Sequence, residues 1–182
     1  MTNTQLLSWI KQHLGPHIQK AIAITKCNYT EDWLAAMARR EYGHKIMEFT
    51  NRGMKPEDIH QITRGDYGQR PGETEKQYHG FGYWQIDIHS YPDFIKTGNW
   101  KDPLKCCIKA IEVLNEKRDF IQRKTPGIAG TLLEDAVTAA YNTGQGNVVK
   151  SIQAGRSVDS TTFNKDYAKS VRKYRAEYKA LK

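Results

Sequence analysis

A helical spacing of apolar residues runs through almost the whole chain and breaks at length only once. Leu6, Leu7, Ile10 and Leu14 mark an amphipathic segment that halts at Gly15-Pro16, and Ile18, Ala21 and Ile22 carry a second towards Cys27. Thr30 stands where it can cap a third helix, with Glu31 and Asp32 at its positive end and Leu34, Met37, Ala38 and Glu41 along one face. Further on, Asp102 and Pro103 open a helix whose expected buried stripe is Leu104, Ile108, Ile111 and Leu114. Thr131 and Glu134 spell a capping box before Leu132, Leu133, Ala136, Val137 and Ala140, and Gly144 stops that element. Tyr167, Val171, Tyr174, Tyr178 and Leu181 recur at helical spacing in the last segment, with Lys169, Arg172, Lys173 and Lys179 on its outer face. The interruption, RGDYGQRPGETEKQYHGFG over 64–82, reads as a loop or short hairpin, the kind of segment where sites tend to lie. The expected architecture is mainly α: a single helical domain over 1–182 with a small loop or hairpin region beside it.

Several classes drop out on composition. With 28 Lys and Arg against 20 Asp and Glu the net charge is +8, but ten Tyr, five Phe and four Trp supply the apolar bulk that a disordered polycation lacks. Unbroken apolar runs of about six residues fall far short of the roughly 18 that span a bilayer, so no membrane insertion is expected. The first residues, MTNTQLLSWIKQHLG, have neither the cationic start nor the apolar core of a secretory signal. Cys106 and Cys107 are neighbours in a helical pattern, where side chains diverge by about 100°, so they are expected as free thiols and only Cys27 is left open to bridging. No ligand motif marks a metal site, and no GxxxxGK[ST] or dinucleotide fingerprint supports nucleotide chemistry.

Three segments carry candidate chemistry. A carboxyl on the apolar stripe of its helix, as Glu41 is, has its charged form disfavoured and so suits a general acid near neutral pH; an ion-paired surface Glu is the simpler alternative. The run His79-Gly80-Phe81-Gly82-Tyr83-Trp84-Gln85-Ile86-Asp87 combines glycines that allow close backbone approach with rings that can stack on sugar faces and an amide that can bond hydroxyls. The same run also suits a hairpin packed on the core. In AYNTGQGNV a helix ends in a Gly-rich turn with Tyr141 and Asn142 at its mouth, which serves either a ligand or a simple C-cap.

Taken in order, AAMARREYGH, HGFGYWQID, AYNTGQGNV and DYAKSVRKYRAEYK resemble the goose-type lysozyme family and its relatives the lytic transglycosylases, over roughly residues 18–179. The resemblance implies a lysozyme-like helical fold with a hairpin region forming one side of a polysaccharide groove. It also implies cleavage of β-1,4 bonds between N-acetylmuramic acid and N-acetylglucosamine, or in some members of chitin. Glu41 matches the family's catalytic acid and Asp87 the carboxylate that handles water, with Glu75 or Glu73 as candidates for a second such group. Tyr141 and Asn142 match the family's segment beside the acid, and His79, Phe81, Tyr83, Trp84, Gln85, His89 and Tyr91 are the expected substrate contacts. Tyr42 stands where the family has Ser, and Tyr83-Trp84 where it has Leu-Met. The implied enzyme is a monomeric muramidase without cofactor or metal, acting outside the cytoplasm on peptidoglycan or a chitin-like polymer, with nucleic acid not expected as partner. A chitinase, a lytic transglycosylase and a non-catalytic basic module binding wall polymer or nucleic acid are the competing readings.

Overall fold

The computed structural model describes residues 1–181. Two short helices, α1 (Asn3–His13) and α2 (Gly15–Thr25), meet at Leu14, and Pro16 begins the second where a missing N–H costs nothing. A true capping box closes the start of α1: Thr2 accepts from the Gln5 N–H, and the Gln5 side chain takes the Thr2 N–H. The long helix α3 (Glu31–Asn51) runs through the middle, with Trp33 to Ala38 buried without a break. A helix covered on all sides is uniformly apolar, and this run packs against α1, α2 and the last helix at once. Thr30 does occupy its cap position, but its hydroxyl makes no capping bond.

After α4 (Pro56–Gln61) come the three strands, β1 (Arg64–Gly68), β2 (Gln77–Phe81) and β3 (Ile86–Asp87), in an antiparallel sheet ordered β1-β2-β3. Register pairs Gly65 with Gly80 and Gly80 with Asp87, so two glycines face each other next to the aspartate. A Cβ on Gly65 or Gly80 would lie 2.2 or 2.4 Å from Oε1 of Gln85, so the bare backbone makes the slot that the Gln85 amide fills. The tight turn into β3 puts Gly82 at φ +74° and Gln85 at φ +48°.

The rest is helical: α5 (Pro92–Lys96), α6 (Pro103–Lys124), α7 (Gly130–Thr143), α8 (Gln145–Gln153) and α9 (Tyr167–Lys179). Asp102 caps α6 as expected, accepting the Leu104 and Lys105 N–H groups at 2.9 and 3.3 Å. The stripe of α6 is wider than its sequence suggests, because α2 lies on one side and α7 on the other. Cys106, Cys107, Ala110, Ile111 and Leu114 are buried, whereas Leu104 and Ile108 are only half covered. The capping box of Thr131 and Glu134 does not form: α7 starts two residues earlier than that box requires, at Gly130 with Ala129 in the cap position, and Arg175 takes the Glu134 carboxylate at 2.8 Å. Gly144 ends α7 at φ +85°. Leu181 lies beyond α9, which stops at Lys179. All three cysteines are free, and burial pushes the Cys106 thiol up to about 12. One hydrophobic core links all these helices with the inner face of the sheet. No helix among the described residues is long and apolar enough to cross a membrane.

Candidate active site

The helices and the sheet leave a cavity of about 350 Å³ between them, with Glu41 on its helical wall and Asp66, Arg70 and Asp87 on its sheet wall. Glu41 is placed by arithmetic along α3. It lies one turn past Met37 and Ala38, where the buried face of the helix comes to the cavity edge. Its carboxylate accepts a hydrogen bond from the hydroxyl of Tyr167, the first residue of α9. Tyr167 is itself buried, and the Arg40 guanidinium lies 5.5 Å above its ring while pairing with Asp166 at 2.9 Å. Burial raises the Glu41 carboxyl to about 7, outweighing the Tyr167 hydrogen bond and the Arg40 charge, which both act downward.

The sheet wall is made differently. Arg70 reaches from the β1–β2 connection to Asp66 at 2.7 Å and to Oδ1 of Asp87 at 2.6 Å. The Ser90 N–H and hydroxyl both donate to Oδ2 of Asp87, at 2.8 and 2.9 Å. Burial alone would push Asp87 up, but Arg70 and Ser90 together prevail and hold it below the usual aspartate range. Asp66 and Gln85 are non-glycine residues at φ +51° and +48°, and both line the cavity, the sort of place where backbone strain tends to collect.

Of the other expected residues, Gln85, Tyr141 and Asn142 line the cavity too. Their own bonds hold them in place: Gln85 donates to Gly82 O at 2.8 Å, Tyr141 to Trp84 O at 2.8 Å, and Asn142 accepts from the Phe163 N–H at 3.0 Å. His79 touches the cavity but is 1% exposed. Tyr91 borders a smaller adjoining space beside Asp87 and donates to Glu116 at 2.6 Å.

Three expected sugar contacts are core residues instead. Trp84 is fully buried with its indole N–H on Leu34 O at 3.0 Å, Tyr83 bonds Nδ1 of His60 at 2.5 Å, and Phe81 packs edge-on to Trp100 at 5.2 Å. The tight turn at 82–85 aims their rings at the helices and only Gln85 at the cavity. Neither candidate for a second water-handling carboxylate faces the cavity. Glu75 is exposed in the connection between β1 and β2, and Glu73 is engaged by its own loop and by His79 and His89. Exposed His89 also stands outside the cavity lining.

The structure adds three participants. Arg70 and Tyr167 hold the two carboxyl groups, and Lys117 of α6 enters the cavity while donating to Gln145 at 2.7 Å. A charged loop and a tyrosine in a helical stripe were the only traces these left in the sequence. No protein-family model matches the chain, and no curated protein matches it.

Proposed function

We propose that the protein is an inverting, lysozyme-like glycoside hydrolase that cleaves the β-1,4 bond between N-acetylmuramic acid and N-acetylglucosamine in peptidoglycan. One observation carries this reading: two carboxyl groups in a single polar cavity are displaced in opposite directions, Glu41 up to about 7 and Asp87 downward. Glu41 keeps its proton near neutral pH and delivers it to the leaving oxygen. Asp87 stays ionised, orients a water on the opposite face of the sugar and takes its proton. Within the cavity Arg70 is already paired with Asp66 and Asp87, so the preference for peptidoglycan over neutral chitin rests on the charge of the whole chain. The net charge of +8 draws the chain to anionic walls, an attraction that salt weakens.

The cationic face of α9, which motivates a nucleic-acid-binding reading, is largely spoken for within the protein. Arg172 pairs with Asp135, Lys173 lies 3.8 Å from Glu177 and Lys179 lies 3.5 Å from Asp32. Digestion of purified peptidoglycan and chitin oligosaccharides side by side, followed by proton NMR of the first products, tests the proposal. Fresh α reducing ends from peptidoglycan are expected. Initial β anomers would mean retention, 1,6-anhydro ends a lytic transglycosylase, preferred cleavage of chitin a chitinase, and no cleavage of either a binding module.

A further inference from the structure

At the edge of the cavity, where only His79 reaches the lining, three side chains converge in an arrangement that no ligand-spacing motif in the sequence marks. Glu73 comes from the β1–β2 connection, His79 from β2, and His89 from the segment after β3. Oε1 of Glu73 faces Nε2 of His79 at 2.8 Å and Nε2 of His89 at 2.6 Å, and its Oε2 lies 3.0 Å from the same nitrogen of His79. The two imidazoles are stacked, with centroids 5.8 Å apart and planes 22° from parallel. All three groups present ligand atoms within 4.8 Å of one another.

Counting donors shows what is unusual here. Nδ1 of His79 lies 2.7 Å from the Asp66 carbonyl oxygen, which can only accept, so Nδ1 carries the hydrogen. In a neutral ring that leaves the lone pair on Nε2, aimed at a carboxylate that is itself rich in lone pairs. Glu73 meanwhile accepts the Arg70 N–H at 2.6 Å and the Gln77 amide at 2.9 Å, an environment that favours its ionised form. One cation placed between these atoms would meet both Nε2 nitrogens and the carboxylate at once.

Geometry favours the shared cation. Both Nε2 atoms point at the same carboxylate oxygen from rings 22° from parallel, so a single ion at that spot serves both nitrogens and the carboxylate. A backbone carbonyl behind Nδ1 is also the arrangement that fixes the tautomer and orientation of a metal-bound imidazole. Two imidazoles and a carboxylate are donors suited to borderline divalent ions rather than to calcium or magnesium.

We propose that Glu73, His79 and His89 form a binding site for a divalent transition-metal ion of the zinc class, with a fourth position left to water. Zinc takes nitrogen and oxygen ligands at about 2.0–2.2 Å, so tetrahedral ligands stand roughly 3.3 Å apart and the present contacts must open by about half an ångström. His89, half exposed at 51%, has the freedom to make that adjustment around the fixed His79. The ion ties three stretches of the sheet wall together: the connection, β2 and the segment after β3. Its role is to stiffen that wall, and the site stands whether or not the proposed hydrolysis does.

Titration calorimetry of the full chain, stripped with chelator, measures the site directly with ZnCl2 in one arm and MgCl2 and CaCl2 in the others. One Zn2+ per chain at micromolar affinity or tighter is expected, with a higher melting temperature and with no comparable response to Mg2+ or Ca2+. His89→Ala removes an exposed ligand without touching the core and is expected to weaken Zn2+ at least tenfold. Glu73→Gln keeps size and shape and is expected to do the same. His17→Ala is the control at the other place where histidine rings approach, 6.4 Å from His60, and is expected to leave the affinity unchanged. Failure of Zn2+ to bind, unchanged affinity in His89→Ala, or equal binding of Ca2+ would each overturn the assignment.

Discussion

Glu41 and Asp87 face the same cavity from walls of different make, and the difference sets their chemistry. The helical wall removes water: Glu41 emerges from a stretch of α3 buried from Trp33 to Ala38 and is covered by Tyr167. The sheet wall supplies charge: Asp87 sits among Arg70, Asp66 and the donors of Ser90. Burial is the largest influence on both groups and drives both upward, so it alone cannot separate them. The separation comes from what stands against it, a hydroxyl and one off-centre guanidinium at Glu41 but a direct ion pair and two hydrogen bonds at Asp87. Two residues of nearly equal intrinsic acidity thus part into a proton holder and a group that is ionised at neutral pH.

The severest way to break this contrast is to remove the proton holder. Glu41→Gln keeps the shape of the helical wall and is expected to fold normally while losing about 10²–10⁴-fold in turnover on peptidoglycan, measured by chromatography of released fragments. Near-normal turnover in that variant would take Glu41 out of the reaction.

Stability against pH reads the same contrast without substrate. The Glu41 carboxyl is raised from 4.5 to about 7, so between those values the folded protein keeps a proton that the unfolded chain releases. Its contribution is therefore full below pH 4.5 and is lost as pH rises through about 7, by about 3 kcal/mol at most. Asp87 works in the other sense, contributing above its ordinary value of 3.8 and losing that contribution as pH falls through its lowered one. Urea unfolding at a series of pH values is expected to show the upper decline in the native chain and a flatter profile in Glu41→Gln.

A smaller change sharpens the sheet side. Arg70→Met removes the ion pair but leaves Asp87 covered, so the uncompensated burial is expected to raise its carboxyl and move the acidic limb of the pH–rate profile to higher pH. An unmoved limb would show that Ser90 suffices to keep Asp87 ionised. The least effect is expected from Tyr167→Phe, which removes a hydrogen bond that favours charged Glu41. The basic limb should shift upward from about 7 by about one pH unit, with the fold intact.

Wherever a feature depends on neighbours along the chain, the sequence was a good guide. The Asp102 cap, the Gly144 stop, the turn-rich interval that holds β1 and β2, and Glu41 on the apolar face of its helix all follow from spacing within a few residues. Thr131 and Glu134 have the letters of a capping box, yet Arg175, distant in sequence, claims the glutamate. Phe81, Tyr83 and Trp84 misled for a related reason, since a Gly-aromatic run fits a groove or a core equally well until the turn geometry is known. Arg70 on Asp87 and His89 on Glu73 are matters of where the loop returns, which local periodicity does not encode.

The pairing of α3 with α9 has a further consequence, in time rather than in space. Tyr167 follows Glu41 by 126 positions, and the same two helices are joined by Arg175 on Asp32 and Tyr178 on Glu31. Contacts so remote in sequence close late, because a long stretch of chain must be ordered first. On the ribosome, α3 and the sheet emerge before α9, so Glu41 is made long before the tyrosine that covers it. A chain cut before α9 is therefore expected to leave Glu41 open to water, with its carboxyl lower than in the folded protein.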